Sequence, residues 1–309
     1  MKAQGLGRHR KTAQLAGTWL LLLLVACAAP PLLAESQVVR YPRSFSGYEY
    51  RDSYVLELLQ LALAKAGSKQ TLQPSAHSME QQRALTELEH NHGVDVVWSM
   101  TSAEREARLL PVRIGIDKGL MGWRIALLPK SQQRRLKDVH SLADLHQLRA
   151  GQGHDWPDRK ILEYNGLPVV PSSSYESLFR MLTAGRFDYF PRSLLEIWDE
   201  VDSQPPLELV VDPYLVLHYP TASYFFVSRH NPQLAETLRQ GLERALLDGS
   251  FDQLFMRHYG ESLRQAKLSQ RRILELDNPL LPVGTPLTRR ELWLSREDLL
   301  QLDQPLTPE

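Results

Sequence analysis

Residues 224–260 read YFFVSRHNPQLAETLRQGLERALLDGSFDQLFMRHYG. The stretch begins inside an apolar run, Ala222 to Ser228, of strand length and strand composition. Asn231-Pro232 then opens a helix, with the proline at the first helical position, where its missing N–H costs nothing. Leu234, Leu238, Leu242, Ala245 and Leu246 recur at helical spacing and make one apolar stripe. Asp248-Gly249 ends that helix, and an aromatic turn closes the following segment at Gly260. A strand passing straight into long amphipathic helices is the grammar of an α/β chain.

The same alternation holds upstream. Val38–Tyr41, Val94–Met100, Arg124–Leu128, Leu167–Val170, Phe187–Phe190 and Leu207–Val211 read as strands. Between them, 54–66, 79–90, 140–148, 160–165, 174–185 and 194–201 read as helices. Gly67 stands just past the first of these, and Ser141 with Asp144 spells a capping box at the third. The spacing predicts helices covering mixed sheets, with no solenoid repeat. After about Arg264 the chain turns rich in Arg, Leu and Pro, which predicts an extension wrapped on the surface and no third domain.

Residues 1–34 read as an export signal: a basic start, then the apolar core TWLLLLLVACAAPPLLA. That core is shorter than a membrane span and is interrupted by Pro30 and Pro31. Cleavage after Ala34 is expected, with acylation at Cys27 in a lipobox-like Leu-Val-Ala-Cys as the alternative. The expected compartment is the periplasm. Cys27 is the only cysteine, so a chain cleaved after Ala34 has neither disulfide nor thiol nucleophile. The leader carries four basic side chains and no acid, and without it 32 basic residues face 36 acidic ones. A mildly acidic chain is a poor match for nucleic acid, and none is expected as a partner.

Catalytic signatures are absent. There is no His-Glu-x-x-His, Gly-x-Ser-x-Gly or Walker loop. His90-Asn91-His92 reads as a polar helix end, Glu87 and Glu89 as surface carboxylates, and no metal-ligand spacing stands out. No enzyme, no cofactor and no metal are expected.

Four stretches in order resemble the family 3 extracellular solute-binding proteins, whose fold is the type II periplasmic binding protein fold. They are GVDVVWSMTSAEREARLLPV, LMGWRIALLPK, SYESLFRMLTAGRFDYFPR and the stretch quoted first, spanning roughly Val38 to Gly260. The resemblance implies two α/β lobes joined by two crossover hinge strands, near 122–128 and 219–224, with a ligand cleft between them. The expected division is 35–123 for the first part of lobe one, 124–221 for lobe two, 222–263 for the return to lobe one and 264–309 for the extension. It implies a small-molecule ligand, a monomer, and an ABC permease or a membrane sensor as partner in trans. Delivery to an importer is the first expectation. Ligand sensing without transport is the second, and an enzyme on the same fold the third.

By that resemblance Arg105 is the guanidinium that clamps a ligand carboxylate, with Thr101 and Ser102 as hydroxyl donors. A planar guanidinium suits the task because it grips two carboxylate oxygens at once. Gly153 and its neighbour Gly151 are candidates for bare backbone N–H donors ahead of a helix, and Trp156 for a stacking face. Tyr48 is a candidate for the lobe-one wall. Amino-acid binders of this family place an aspartate after the strand at Phe187–Phe190, to hold the ligand ammonium. Here that position is Ser193, preceded by Arg192. With Arg105 and Arg192 both expected in the cleft, an organic anion is as good a candidate ligand as an amino acid.

Overall fold

The computed structural model describes residues 38–44 and 52–302. The proposed leader, Cys27 and Tyr48 lie outside the described residues.

Lobe one opens with β1 (Val38–Arg43), α1 (Ser53–Ala66) and β2 (Thr71–Ser78), and β1 pairs with β2 in parallel. Gly67, at φ +77°, closes α1 as its left-handed C-cap. Then come α2 (Gln81–Glu89), β3 (Val96–Met100), α3 (Ala103–Arg108) and β4 (Leu110–Val112). The chain crosses into lobe two on β5 (Trp123–Pro129). Lobe two continues through α4 (Leu142–Leu145), β6 (Ala150–Gly153), α5 (Pro157–Tyr164) and β7 (Val169–Ser172). It ends with α6 (Tyr175–Thr183), β8 (Phe190–Ser193), α7 (Ile197–Asp202), β9 (Leu209–Val211) and β10 (Leu215–His218). The chain returns on β11 (Ser223–Val227), followed by α8 (Pro232–Leu247), α9 (Ser250–Ala266), β12 (Arg272–Glu275) and α10 (Arg296–Gln301).

In lobe one, β11 lies antiparallel between β3 and β4, with Ser223 opposite Met100. All of β11 and all of β3 but Trp98 are buried, which is why both read as unbroken apolar runs. Asn231 caps α8 by accepting from the Leu234 N–H, and Leu234, Leu238, Leu242 and Ala245 bury its stripe. At Gly241, α8 meets α1 so closely that a Cβ would overlap the Ala62 carbonyl.

The larger sheet of lobe two has the order β12-β10-β5-β8, with β9 also on β5, and β6 pairs with β7 beside it. The strand foreseen at Phe187–Phe190 runs three residues later, at Phe190–Ser193. The strands β2, β4, β6, β10 and β12 have no counterpart among the foreseen strands. β2 is a polar, largely exposed partner of β1 alone, so it lacks the alternating apolar face that marks a strand in sequence.

The two crossing segments touch: Tyr219 N donates to Gly122 O at 3.1 Å, and a Cβ at Gly122 would overlap the Tyr219 carbonyl. A third segment runs beside them. After β12 has joined the lobe-two sheet in parallel with β10, Asn278 Nδ2 donates to Pro220 O at 2.9 Å. Farther on, Arg289 pairs with Glu243 of α8, Lys118 Nζ donates to Glu291 O, and the Trp293 indole covers Gly119. The extension is thus a strap leading from lobe two past the crossovers to lobe one. Among the described residues, no helix is long and apolar enough to cross a membrane.

Candidate functional site: the cleft between the lobes

A cavity of about 590 Å³ lies between the lobes. Tyr54, Gln81, Ser99 and Met100 belong to its lobe-one wall, Trp156, Asp158, Tyr175 and Glu176 to its lobe-two wall. Asp117, Arg124 and Ser223 sit where the crossovers begin and end. Lys160 Nζ of α5 stands 3.9 Å from Glu104 of α3, an exposed pair between the lobes worth little by itself.

Arg105 projects from α3. Its Nη1 donates to Ser99 Oγ at 2.7 Å and Met100 O at 2.6 Å, and its Nη2 to Gln81 Oε1 at 3.0 Å. Those three partners line the cavity, and the guanidinium lies directly behind them. Burial lowers its pKa, while Asp155, Glu104 and Asp158 oppose this only from a distance. Among the described residues Arg105 makes no ion pair. Ser102 is the N-cap of α3, its Oγ accepting from Arg105 N, and Thr101 donates to Glu106 Oε1 at 2.7 Å. Both hydroxyls therefore build the turn that aims Arg105.

Gly153 lies within β6, paired with Ser172, and not at a helix N-terminus as foreseen. A Cβ there would overlap the Trp156 ring, so the glycine makes room for the indole. Trp156 in turn lines the cavity and stacks on Phe190.

Arg192 departs most from expectation. It is 2% exposed, and Glu200 grips it through contacts of 2.6–2.9 Å, with Glu196 at 3.0 Å. Its guanidinium also lies 4.7 Å from the Trp156 ring centre. Burial would lower its pKa, but Glu196 and Glu200 more than offset this and raise it well above the arginine range. A guanidinium so occupied has no fork to offer a second anion. Ser193 is fully buried, and its Oγ donates to Leu120 O at 3.2 Å, away from the cavity.

Sequence reasoning missed the partners of this network. Arg124, 2% exposed on β5, donates to Tyr219 Oη at 2.9 Å and pairs with Asp158. Tyr219 also donates to Asp158. Two signals were available: a lone arginine in the apolar run GWRIALL, and Arg192, Glu196 and Glu200 four residues apart. Among the described residues, eight carboxylate side chains and three arginines line the cavity, and two of those arginines, Arg124 and Arg192, are already paired. The described lining is therefore electronegative.

No family model matches the chain, and no curated protein matches it. Solved structures do. An ancestral arginine-binding protein bound to arginine superposes with a TM-score of 0.53 at 17% identity, covering 72% of this chain and 97% of that one. A histidine kinase sensor domain with similarity to periplasmic binding proteins gives 0.54 at 16%, covering 72% and 95%. The arginine-, lysine-, histidine-binding protein ArtJ of Geobacillus stearothermophilus gives 0.52 at 16%, covering 72% and 94%. At such identities the likeness defines the fold: a two-lobed type II periplasmic binding protein fold, the one the family 3 solute-binding proteins share.

Proposed function

We propose that the chain is a periplasmic solute-binding protein that captures a small, polar, carboxylate-bearing solute between its lobes and presents it to an ABC-type importer. One observation carries the reading. Arg105 is a half-buried guanidinium with no ion pair among the described residues, placed immediately behind the cavity wall. A partly desolvated cation without a counter-ion gains from an anion that joins it, so a solute carboxylate would supply what Arg105 lacks. Gln81 would yield Nη2 to the solute, Trp156 would supply an apolar face, and Thr101 and Ser102 would hold the turn. An amino-acid-like zwitterion suits the cleft better than a dianion, because Glu196 and Glu200 already satisfy Arg192. Ligand sensing in trans is the second reading, favoured by the likeness to a sensor domain.

The test is a thermal-shift screen of the purified chain with Arg105→Gln beside it. A bound solute raises Tm by mass action. Arg105→Gln should lose that rise while its unliganded Tm stays within about 4 °C of native, as for loss of about one net hydrogen bond. A much larger fall in unliganded Tm would mark Arg105 as structural and remove the support for a carboxylate site.

A further inference from the structure

We infer that Asp117 is the residue that reads the solute's positive charge, and that the solute is a cation-bearing amino compound held by its ammonium or guanidinium at the crossover. The inference rests on the solute-binding reading and narrows its ligand.

Asp117 lines the cavity yet is only 4% exposed. Its Oδ2 accepts from Ser223 Oγ at 2.9 Å, and its Oδ1 from Gly119 N at 3.2 Å. Every donor to it is neutral, and among the described residues it makes no ion pair. The adjacent Lys118 is committed elsewhere, to Asp252 at 2.7 Å and to Glu291 O. Burial raises the pKa of the Asp117 carboxyl, against the pull of the Ser223, Gly119 and Met121 hydrogen bonds. A carboxylate buried without a cation is costly, and a ligand that brings the cation relieves the cost.

The surroundings suit a cation. Tyr54 and Tyr259, with ring centres 4.7 Å apart, line the same cavity, and both phenols feel the negative charge of Asp117. Aromatic rings beside a carboxylate favour ammonium and guanidinium groups. Farther round the wall, Asp199 has a raised pKa from burial and from the like charges of Asp202 and Glu200, so this region holds more negative charge than its arginines cancel. Lobe two does not provide the ammonium partner that the resemblance implies after β8, since Ser193 is buried against Leu120. Asp117 supplies the missing charge from the crossover. It also shares a wall with Arg105: Ser223, which donates to Asp117, lies opposite Met100, whose carbonyl accepts from Arg105. Lobe one thus presents a cation reader and an anion reader side by side.

The experiment compares the native chain with Asp117→Asn and with the smaller Asp117→Ser, by thermal shift and calorimetric titration. The probes are L-lysine, L-arginine, putrescine, L-glutamate and glutarate. Lysine, arginine or putrescine should bind the native chain in preference to glutamate and glutarate. Both variants should lose about tenfold or more in affinity for them, as for loss of a charged hydrogen-bond partner, while each still unfolds cooperatively. Cations that bind the folded variants as tightly as the native chain would overturn the role of Asp117. Binding of glutarate alone, the one probe of the five with neither ammonium nor guanidinium, would overturn the cation inference and leave the solute-binding reading standing. A native chain that binds none of the five would remove both.

Discussion

Replacing Glu200 with glutamine tests whether Arg192 is a strut or a ligand contact. The substitution keeps shape and removes charge. Arg192 and Glu200 are 2% and 1% exposed and meet through contacts of 2.6–2.9 Å. Removing one partner of a buried pair costs about 3–5 kcal/mol, because the survivor is left desolvated and uncompensated. Glu196 remains 3.0 Å from Nη2 and holds part of the charge, so the lower end, about 3 kcal/mol, applies. In a chain of this size each kcal/mol moves Tm by about 2–4 °C, which gives a fall of roughly 6–12 °C by calorimetry. The double variant Arg192→Met with Glu200→Leu removes both charges and should recover most of the loss. Two results would refute the reasoning. One is Glu200→Gln melting within about 1 °C of native. The other is Arg192→Met abolishing solute binding at unchanged unliganded Tm.

Asp117→Asn should also change the pH dependence of stability. The carboxyl pKa is higher folded than unfolded, so the folded chain binds more protons between the two values, and ionisation costs stability as pH rises through them. The variant's stability relative to native should therefore rise from about pH 4 upward and then level off, as read by urea unfolding across pH. Gly241→Ala should destabilise by about 1–3 kcal/mol despite alanine's better helix propensity, because its Cβ meets the Ala62 carbonyl where α8 crosses α1; chemical denaturation reads this directly. Trp293→Ala should lower Tm by several degrees and expose the strap to limited proteolysis, since the half-buried indole covers Gly119 and donates to Pro286 O at 3.0 Å. An unchanged cleavage pattern would show that the strap is held without it.

Some of this protein stands in its sequence. The α8 stripe, the Asn231 cap, the Gly67 stop and the buried runs of β3 and β11 were legible, because each is a local device: a period, a cap, a left-handed glycine, a strand apolar on both faces. In their order along the chain they indicate an α/β chain, and the two lobes were an expectation from the resemblance that four such stretches carry. The strands β2, β4, β6, β10 and β12 were not legible, since each is made a strand by the partner it meets. The same division runs through the cleft. The Ser102 turn that aims Arg105 is written in four consecutive residues, Ser102 to Arg105. The charge of the cavity is not, because a charge has meaning only with its partner. Arg192 looks like an anion contact until α7 brings Glu196 and Glu200 against it, and Asp117 looks like an ordinary loop acid until the crossover buries it beside Ser223 with no ion pair among the described residues. Local chemistry decides which elements form; only tertiary packing decides which charges are spent on each other and which are left for a ligand.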